Sequence, residues 1–283
     1  MPFDSLPGLS LDRLASFLRV ADAGGLARAA PGEPVRQSQL SRQMKELESA
    51  LQQSLFLRTG HGMVLTGAGQ ALARVVRELD QGLRDVTAAE RGPVRVSLGG
   101  GDSVLQWLVL PGLAELRHDD VELELGALGS DGVVSALLEQ RIDLGLLRAS
   151  EATGELKTVR LGRISYALFS AAGRGKLPLA VPSSERGLER ALASLGPAAL
   201  RCETFPQVAQ AVRSGAYRGV LPSFARAQLP PAEFHASFLP ALETVATPLL
   251  LAWRARTLEL RPQVKRVQRS LAEHVRRALK KFG

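Results

Sequence analysis

Apolar residues first recur at helical spacing at Leu11, Leu14, Phe17, Leu18 and Ala21, a run stopped by Gly24-Gly25. This predicts a helix over Leu11–Ala23 with Ser10 as its cap. A short second helix, Leu26–Ala30, is cut off by Pro31-Gly32-Glu33-Pro34. In the next helix, Arg36–Leu51, the residues Leu40, Met44, Leu47 and Leu51 share one narrow stripe, while Ser38, Arg42, Lys45 and Ser49 face the other way. Gln37, Gln39 and Gln43 add amides that both donate and accept. Leu55–Leu57 and Met63–Leu65 flank Arg58-Thr59-Gly60-His61-Gly62 and predict a β-hairpin with a Gly-rich, basic tip. Three helices and a hairpin make a winged helix-turn-helix over residues 1–66. Thr66 then caps a long helix to about Ala89, with Ala68, Leu72, Val75, Val76, Leu79 and Leu83 along one side. Residues 67–92 read as a linker or dimerisation stem, the alternative being a packed helix of one globular domain.

After Arg91-Gly92-Pro93 the rhythm changes. Strands are predicted at Val94–Leu98, Val121–Leu125 and Ile142–Leu147, with helices between them at Asp102–Arg117 and Gly132–Glu139 and a tight turn at Gly99-Gly100-Gly101. Further strands follow at Ile164–Ser170, Leu177–Val181 and Leu249–Trp253, with helices at Ser184–Leu195 and Phe205–Arg213 and a basic helix at the end. Strand, helix, strand, helix, strand predicts an α/β domain over 93–283 built on a parallel sheet.

Composition narrows the function classes. Hydrophobic residues are 45% and charged residues 23%, a globular balance, and no apolar run reaches the roughly 18 residues a bilayer span needs. MPFDSLPGLS lacks a basic region followed by an apolar core, so a cytoplasmic protein is expected. Cys202 stands alone, a small packed residue or a redox sensor, and no Cys/His cluster has metal-ligand spacing, so neither metal nor cofactor is expected. The net charge of +8 sits in residues 253–283, which hold ten basic residues against two acidic ones. The pI near 10.3 therefore says nothing about the N-terminal segment. That basic helix is either a solvated outer face or an auxiliary phosphate contact. A Rossmann-like enzyme is the rival class, but GGGDS lacks the third spaced glycine of a dinucleotide turn, and His61, His118, His235 and His274 are scattered. No enzymatic activity is expected.

The helix at Arg36–Leu51 is apolar behind and hydrogen-bonding in front, which suits a major groove; an ordinary amphipathic surface helix is the alternative. The run Ala29-Ala30, Gln37, Leu40-Ser41-Arg42-Gln43, Leu47-Glu48, Leu55-Phe56, Arg58-Thr59 and Leu65-Thr66 resembles the DNA-binding half of LysR-type transcriptional regulators. Leu110-Pro111, Val121-Glu122-Leu123, Ile142-Asp143-Leu144 and Leu221-Pro222 are similar to that family's effector-binding part. The resemblance implies two lobes like a periplasmic binding protein, lobe I over 93–163 and 246–283 and lobe II over 164–245. It implies a homodimer through the long helix, commonly a dimer of dimers, on an interrupted palindrome in double-stranded DNA, with RNA polymerase as a further partner. Gln37, Ser38, Ser41 and Arg42 then occupy DNA-facing positions, Lys45, Arg58 and His61 hold phosphate, and Arg36 stands where the family places Ser or Thr. The missing capping hydroxyl predicts a later helix start, near Ser38.

Effectors of a two-lobed α/β protein sit at strand ends, where helix N-termini present free N–H groups. Gly101, Asp102 and Ser103 are candidates, with the glycines of 99–101 admitting a ligand to the backbone. Asp102 either competes with an anionic effector or caps the helix. Gly129, Ser130, Arg148, Thr204 and Phe205 are expected on the remaining walls. Arg148 would pair with the carboxylate of a small organic anion or with a neighbouring Glu. Lobe II reaches its strand and helix after Ile164 sooner than the family does, which leaves open a scaffold that binds no effector.

Overall fold

Ser10 adopts an extended conformation, accepts a hydrogen bond from the Arg13 amide and starts α1 (Leu11–Ala23), which Gly24 closes at φ +65°. The computed structural model describes residues 9–60, 62–88, 92–173, 177–183 and 188–282. They fall into two compact units, residues 1–91 with 139–141, and 92–138 with 142–283.

In the first unit, α2 (Leu26–Ala29) leads to α3 (Pro34–Leu51), which begins before Arg36 and well before Ser38. Pro34 takes the first helical position, where its missing N–H costs nothing and its φ is already helical. Glu33 precedes it without a side-chain capping bond, so the expected late start is corrected to an early one. Leu40, Met44 and Leu47 are buried with Leu14, Phe17, Val20 and Leu55 in one small core. β1 (Phe56–Thr59) and β2 (Gly62–Leu65) pair antiparallel from Phe56↔Leu65 to Thr59↔Gly62. Arg58 and Thr59, expected in the tip, are therefore strand residues. The Glu48 carboxylate accepts from the Leu55 and Phe56 amides at 2.7 and 3.3 Å and ties the hairpin root to α3.

Thr66 holds the next junction. Its hydroxyl donates to the Ser54 carbonyl at 2.6 Å and accepts from the Gly69 amide at 3.0 Å, starting α4 (Gly67–Ala88). A Cβ on Gly69 would lie 2.2 Å from the Leu55 carbonyl oxygen, a backbone atom that cannot swing aside. Gly69→Ala is expected to destabilise this unit by about 1–3 kcal/mol in denaturant titration, more than helix propensity would regain. Ala73 and Val76 of α4 close the core, whereas Val75, Leu79 and Leu83 stand exposed at 62%, 42% and 46%.

The second unit contains two five-stranded sheets. The first joins β3 (Val94–Gly100), β4 (Val121–Ala127), β5 (Leu144–Arg148), β6 (Leu156–Ile164) and β12 (Thr247–Arg254) in the order β4-β3-β5-β12-β6. It is mixed rather than parallel, because β12 enters antiparallel to both neighbours. Gly99 and Gly100, expected in a turn, complete β3. A Cβ on Gly99 would meet Ile142 Cδ1 at 2.6 Å, so this glycine admits a packed side chain rather than a ligand. The helix expected over Asp102–Arg117 is broken into α5 (Asp102–Val104), a π turn at Leu105–Val109, a 3-10 turn at Leu110–Gly112 and α6 (Leu113–Leu116). The π turn turns Leu105, Trp107, Leu108 and Val109 all into the core. Beyond β4, α7 (Ser130–Leu138) packs on β5.

The second sheet joins β7 (Tyr166–Ala171), β8 (Leu179–Pro182), β9 (Ala198–Cys202), β10 (Arg218–Pro222) and β11 (Phe234–Ser237) in the order β11-β7-β10-β8-β9. Helix α8 (Glu189–Ala193) is shorter than the expected Ser184–Leu195, whose residues 184–187 lie outside the described residues. α9 (Phe205–Arg213) matches its expected bounds. One residue, Ser165, separates β6 from β7, and its hydroxyl lies 2.9 Å from that of buried Ser223. After α10 (Pro240–Glu243) the chain returns to the first sheet through β12, α11 (Thr257–Leu260) and α12 (Pro262–Phe282). Val264, Val267, Leu271, Val275 and Leu279 bury one side of α12, while Arg266 and Arg277 pair with Asp120 and Glu115.

Candidate nucleic-acid interface and effector cavity

With its leucines turned inward, α3 presents Ser38, Arg42 and Lys45 to solvent and leaves Gln37 and Ser41 half-buried. The Arg42 side chain is 78% exposed, its Nε 3.7 Å from Glu46, which itself pairs with Arg13 at 2.7 Å. An exposed pair one turn apart is worth a few tenths of a kcal/mol, so it holds the guanidinium only loosely. Arg36 lies 3.5 Å from Glu33 at the start of the helix. The Gln37 amide nitrogen donates to the Ala30 carbonyl at 2.8 Å, closing the turn that Pro31 to Pro34 builds. Its oxygen and second N–H are the groups this leaves for a base edge. Arg58 is exposed on β1; His61 lies outside the described residues.

The spacing of apolar positions does not foretell all of this face. Val35 is 76% exposed, two turns before Arg42 and on the same side of the helix. Ser16 and Arg19 of α1 line a shallow groove with Arg36, Gln39 and Gln43. Nothing in the spacing of α1 alone places those two residues beside α3.

Within the second unit a cavity of about 270 Å³ opens between the two sheets. Gly101, Ser103, Gly129, Ser130, Arg148 and Phe205 line it. Asp102 and Thr204 do not, which corrects two expectations. Asp102 is exposed and makes no capping bond, since Gly101 precedes α5 as its cap. The Thr204 hydroxyl accepts from the Gln207 amide and caps α9, while the Gln207 side chain returns to the Thr204 amide. Tyr166, Glu151, Asp131, Pro222 and Phe224 were not foreseen and also line it. Arg148 is the last residue of β5, and its amide donates to the Glu151 carboxylate at 3.3 Å. Tyr166 is buried, its ring 5.8 Å from that of Phe205. Burial pushes its phenol above the usual range, with Arg148 opposing and Glu151 reinforcing, so it stays a neutral hydrogen-bond donor near pH 7. The cavity wall thus combines hydroxyl, guanidinium and carboxylate groups with aromatic and aliphatic carbon. Among the described residues no group of three His, Cys, Asp or Glu could hold a metal, and no helix is long and apolar enough to cross a membrane.

Two family profiles match the chain. That of the bacterial regulatory helix-turn-helix protein, lysR family, covers residues 11–70, and that of the LysR substrate binding domain covers 89–276. The chain belongs to the LysR family. The HTH-type transcriptional regulator DgdR of Burkholderia cepacia is 30% identical over 183 residues, 61% of this chain and 62% of that protein. The chain thus spans about three fifths of the length of this relative, and about half that of others such as the nitrogen assimilation regulatory protein nac of Klebsiella aerogenes, 30% identical over 148 residues. The relatives carry the names of regulators, not of enzymes. Among solved structures, full-length OxyR of Pseudomonas aeruginosa has a similar fold, with a TM-score of 0.66, 17% identity and 95% of each chain covered.

Proposed function

We propose that this chain is a sequence-specific DNA-binding transcription regulator, with residues 1–66 binding DNA, 67–92 joining subunits and 93–283 sensing a small carboxylate. The observation that carries the reading is the two-sided α3, whose apolar side is consumed by its own core while Arg42, Ser38 and Lys45 stand exposed on the other. Gln37, Ser38, Ser41 and Arg42 read base edges, and Val35 offers its methyls to a thymine methyl. Arg36, Lys45, Arg58 and His61 hold the phosphate backbone. The exposed Val75, Leu79 and Leu83 supply the apolar stripe through which α4 would meet a second copy, so the site is an interrupted palindrome. The cavity supports an effector over a bare scaffold, because a concave pocket lined by aromatic and aliphatic carbon with a few polar groups is the usual form of a small-molecule site.

Selection of bound sequences from random duplex DNA by the full chain tests this. Recovery of inverted half-sites is expected; no enrichment over the input pool would remove the DNA-binding reading.

A further inference from the structure

The positive charge of this chain does not lie beside the helix proposed to read DNA. Residues 1–92 hold eleven basic residues against ten acidic ones, so the segment that carries α3 is close to neutral. Phosphate contacts supply the sequence-blind part of DNA affinity, and they draw on lysines and arginines in excess of acids. Here the net charge of +8 lies in residues 253–283, chiefly on α12.

Neighbouring elements neutralise only part of it. Of the seven basic residues of α12, Arg266 and Arg277 pair with Asp120 and Glu115. Lys265, Arg269, Lys280 and Lys281 are exposed and have no acidic partner among the described residues, and Glu273 is the one acid of the helix. At 100° per residue, Lys265, Arg269, Arg276 and Lys280 fall within about 60° of one another and run along about 22 Å of the helix axis. Arg276, half-buried, donates to the Arg160 carbonyl at 3.2 and 3.0 Å and ties this side of the helix to β6. β6 is an outer strand of its sheet and adds exposed Lys157, Arg160 and Arg163 with no acid.

Helix stability does not account for the stripe. Lys265 with Arg269, and Arg276 with Lys280, are like charges one turn apart, which repel. Lys265 also stands in the first turn, the end at which the helix dipole disfavours a cation. A face that only meets water alternates the signs of its charges, and this one does not. No exposed residue of α12 is aromatic, so a single strand finds nothing to stack on, which favours a duplex. We infer that the outer face of α12, with the edge strand β6, is a second, sequence-blind contact for duplex DNA, holding phosphates outside the bases read by α3. It rests on the DNA-binding reading above.

The test places Lys265→Gln, Arg269→Gln and Lys280→Gln together in the full chain. Two duplexes are compared, one cut to the selected site and one extended on both sides by several helical turns, by filter binding across a salt series. On the long duplex the variant is expected to bind about 10- to 100-fold more weakly and to lose about 2–3 from the slope of log affinity against log salt. On the short duplex it should match the unaltered chain. Its Tm should not move, since none of the three side chains is buried or ion-paired among the described residues. The charge-keeping variant Lys265→Arg, Arg269→Lys, Lys280→Arg should bind both duplexes as the unaltered chain does. Equal losses on the two duplexes, or a loss shared by the charge-keeping variant, would overturn the inference. So would no loss on either duplex, a result that would point the stripe at an acidic protein surface instead. An unaltered chain that selects no site at all would overturn the DNA-binding reading together with this one.

Discussion

Arg42→Ala is expected to lower affinity for the selected DNA site by about 5- to 100-fold and to relax base preference at one position per half-site, with little effect on random DNA. The guanidinium is largely exposed and its one surface partner is worth little, so its donors are available for a guanine edge, a contact worth about 1–3 kcal/mol of discrimination. Lys45→Ala should behave differently. An ammonium on phosphate neutralises charge whatever the sequence, so specific and random DNA should weaken alike, and the slope of log affinity against log salt should fall by about 1. Fluorescence anisotropy on both duplexes across a salt series separates the two. Equal losses on specific and random DNA for both variants would contradict the assignment of reader and clamp.

Asp143→Ala is expected to destabilise the second unit by about 3–5 kcal/mol. Asp143 Oδ2 accepts from the Ser97 amide at 2.8 Å and from the Ser97 hydroxyl at 3.0 Å. Its other oxygen pairs with Arg261, which is 5% exposed and also donates to the Arg95 carbonyl at 2.6 Å. The pair pins the start of α12 to β3 and to the loop before β5. Removing the carboxylate takes its ion-pair partner from a buried guanidinium and two hydrogen bonds from Ser97, and those losses are the source of the cost. Urea unfolding measures it. The double variant Asp143→Leu, Arg261→Met should recover most of the loss, and a single-variant cost below about 1 kcal/mol would show that water reaches Arg261 after all.

The apolar stripe of α3 was legible because three large side chains at spacings of four and three dominate a core only a few residues across. Its start was not. Pro34 reads equally as a breaker and as a first helical residue, and only the packing of α1 and α2 decides between them. α9 has its expected bounds, although the capping box of Thr204 and Gln207 that starts it went unread and Thr204 was taken for a cavity residue. β10 went unread, since four consecutive buried residues of RGVLP show no alternation and a proline ends it. β9 and β11 are four or five residues long and half exposed, too little for a pattern. For the cavity, strand-end logic found the right loops but not the directions of side chains within them. Ser103 turns inward where Asp102 turns out, and Phe205 enters where Thr204 caps. Tyr166 and Phe224 reach the cavity from the second sheet and the turn after it, a meeting that no local stretch of residues records.

The carboxylate of Glu48 grips the base of the hairpin from the inner turn of α3, so the wing cannot slide along the helix without breaking two backbone contacts at once. Arg58 and Arg42 are then two marks on one stiff ruler. On the proposed reading, a duplex that gains or loses a base pair between the bases facing α3 and the phosphates facing β1 would fall out of step, whereas an equal change midway between the arms of the proposed palindrome would meet only the give between subunits.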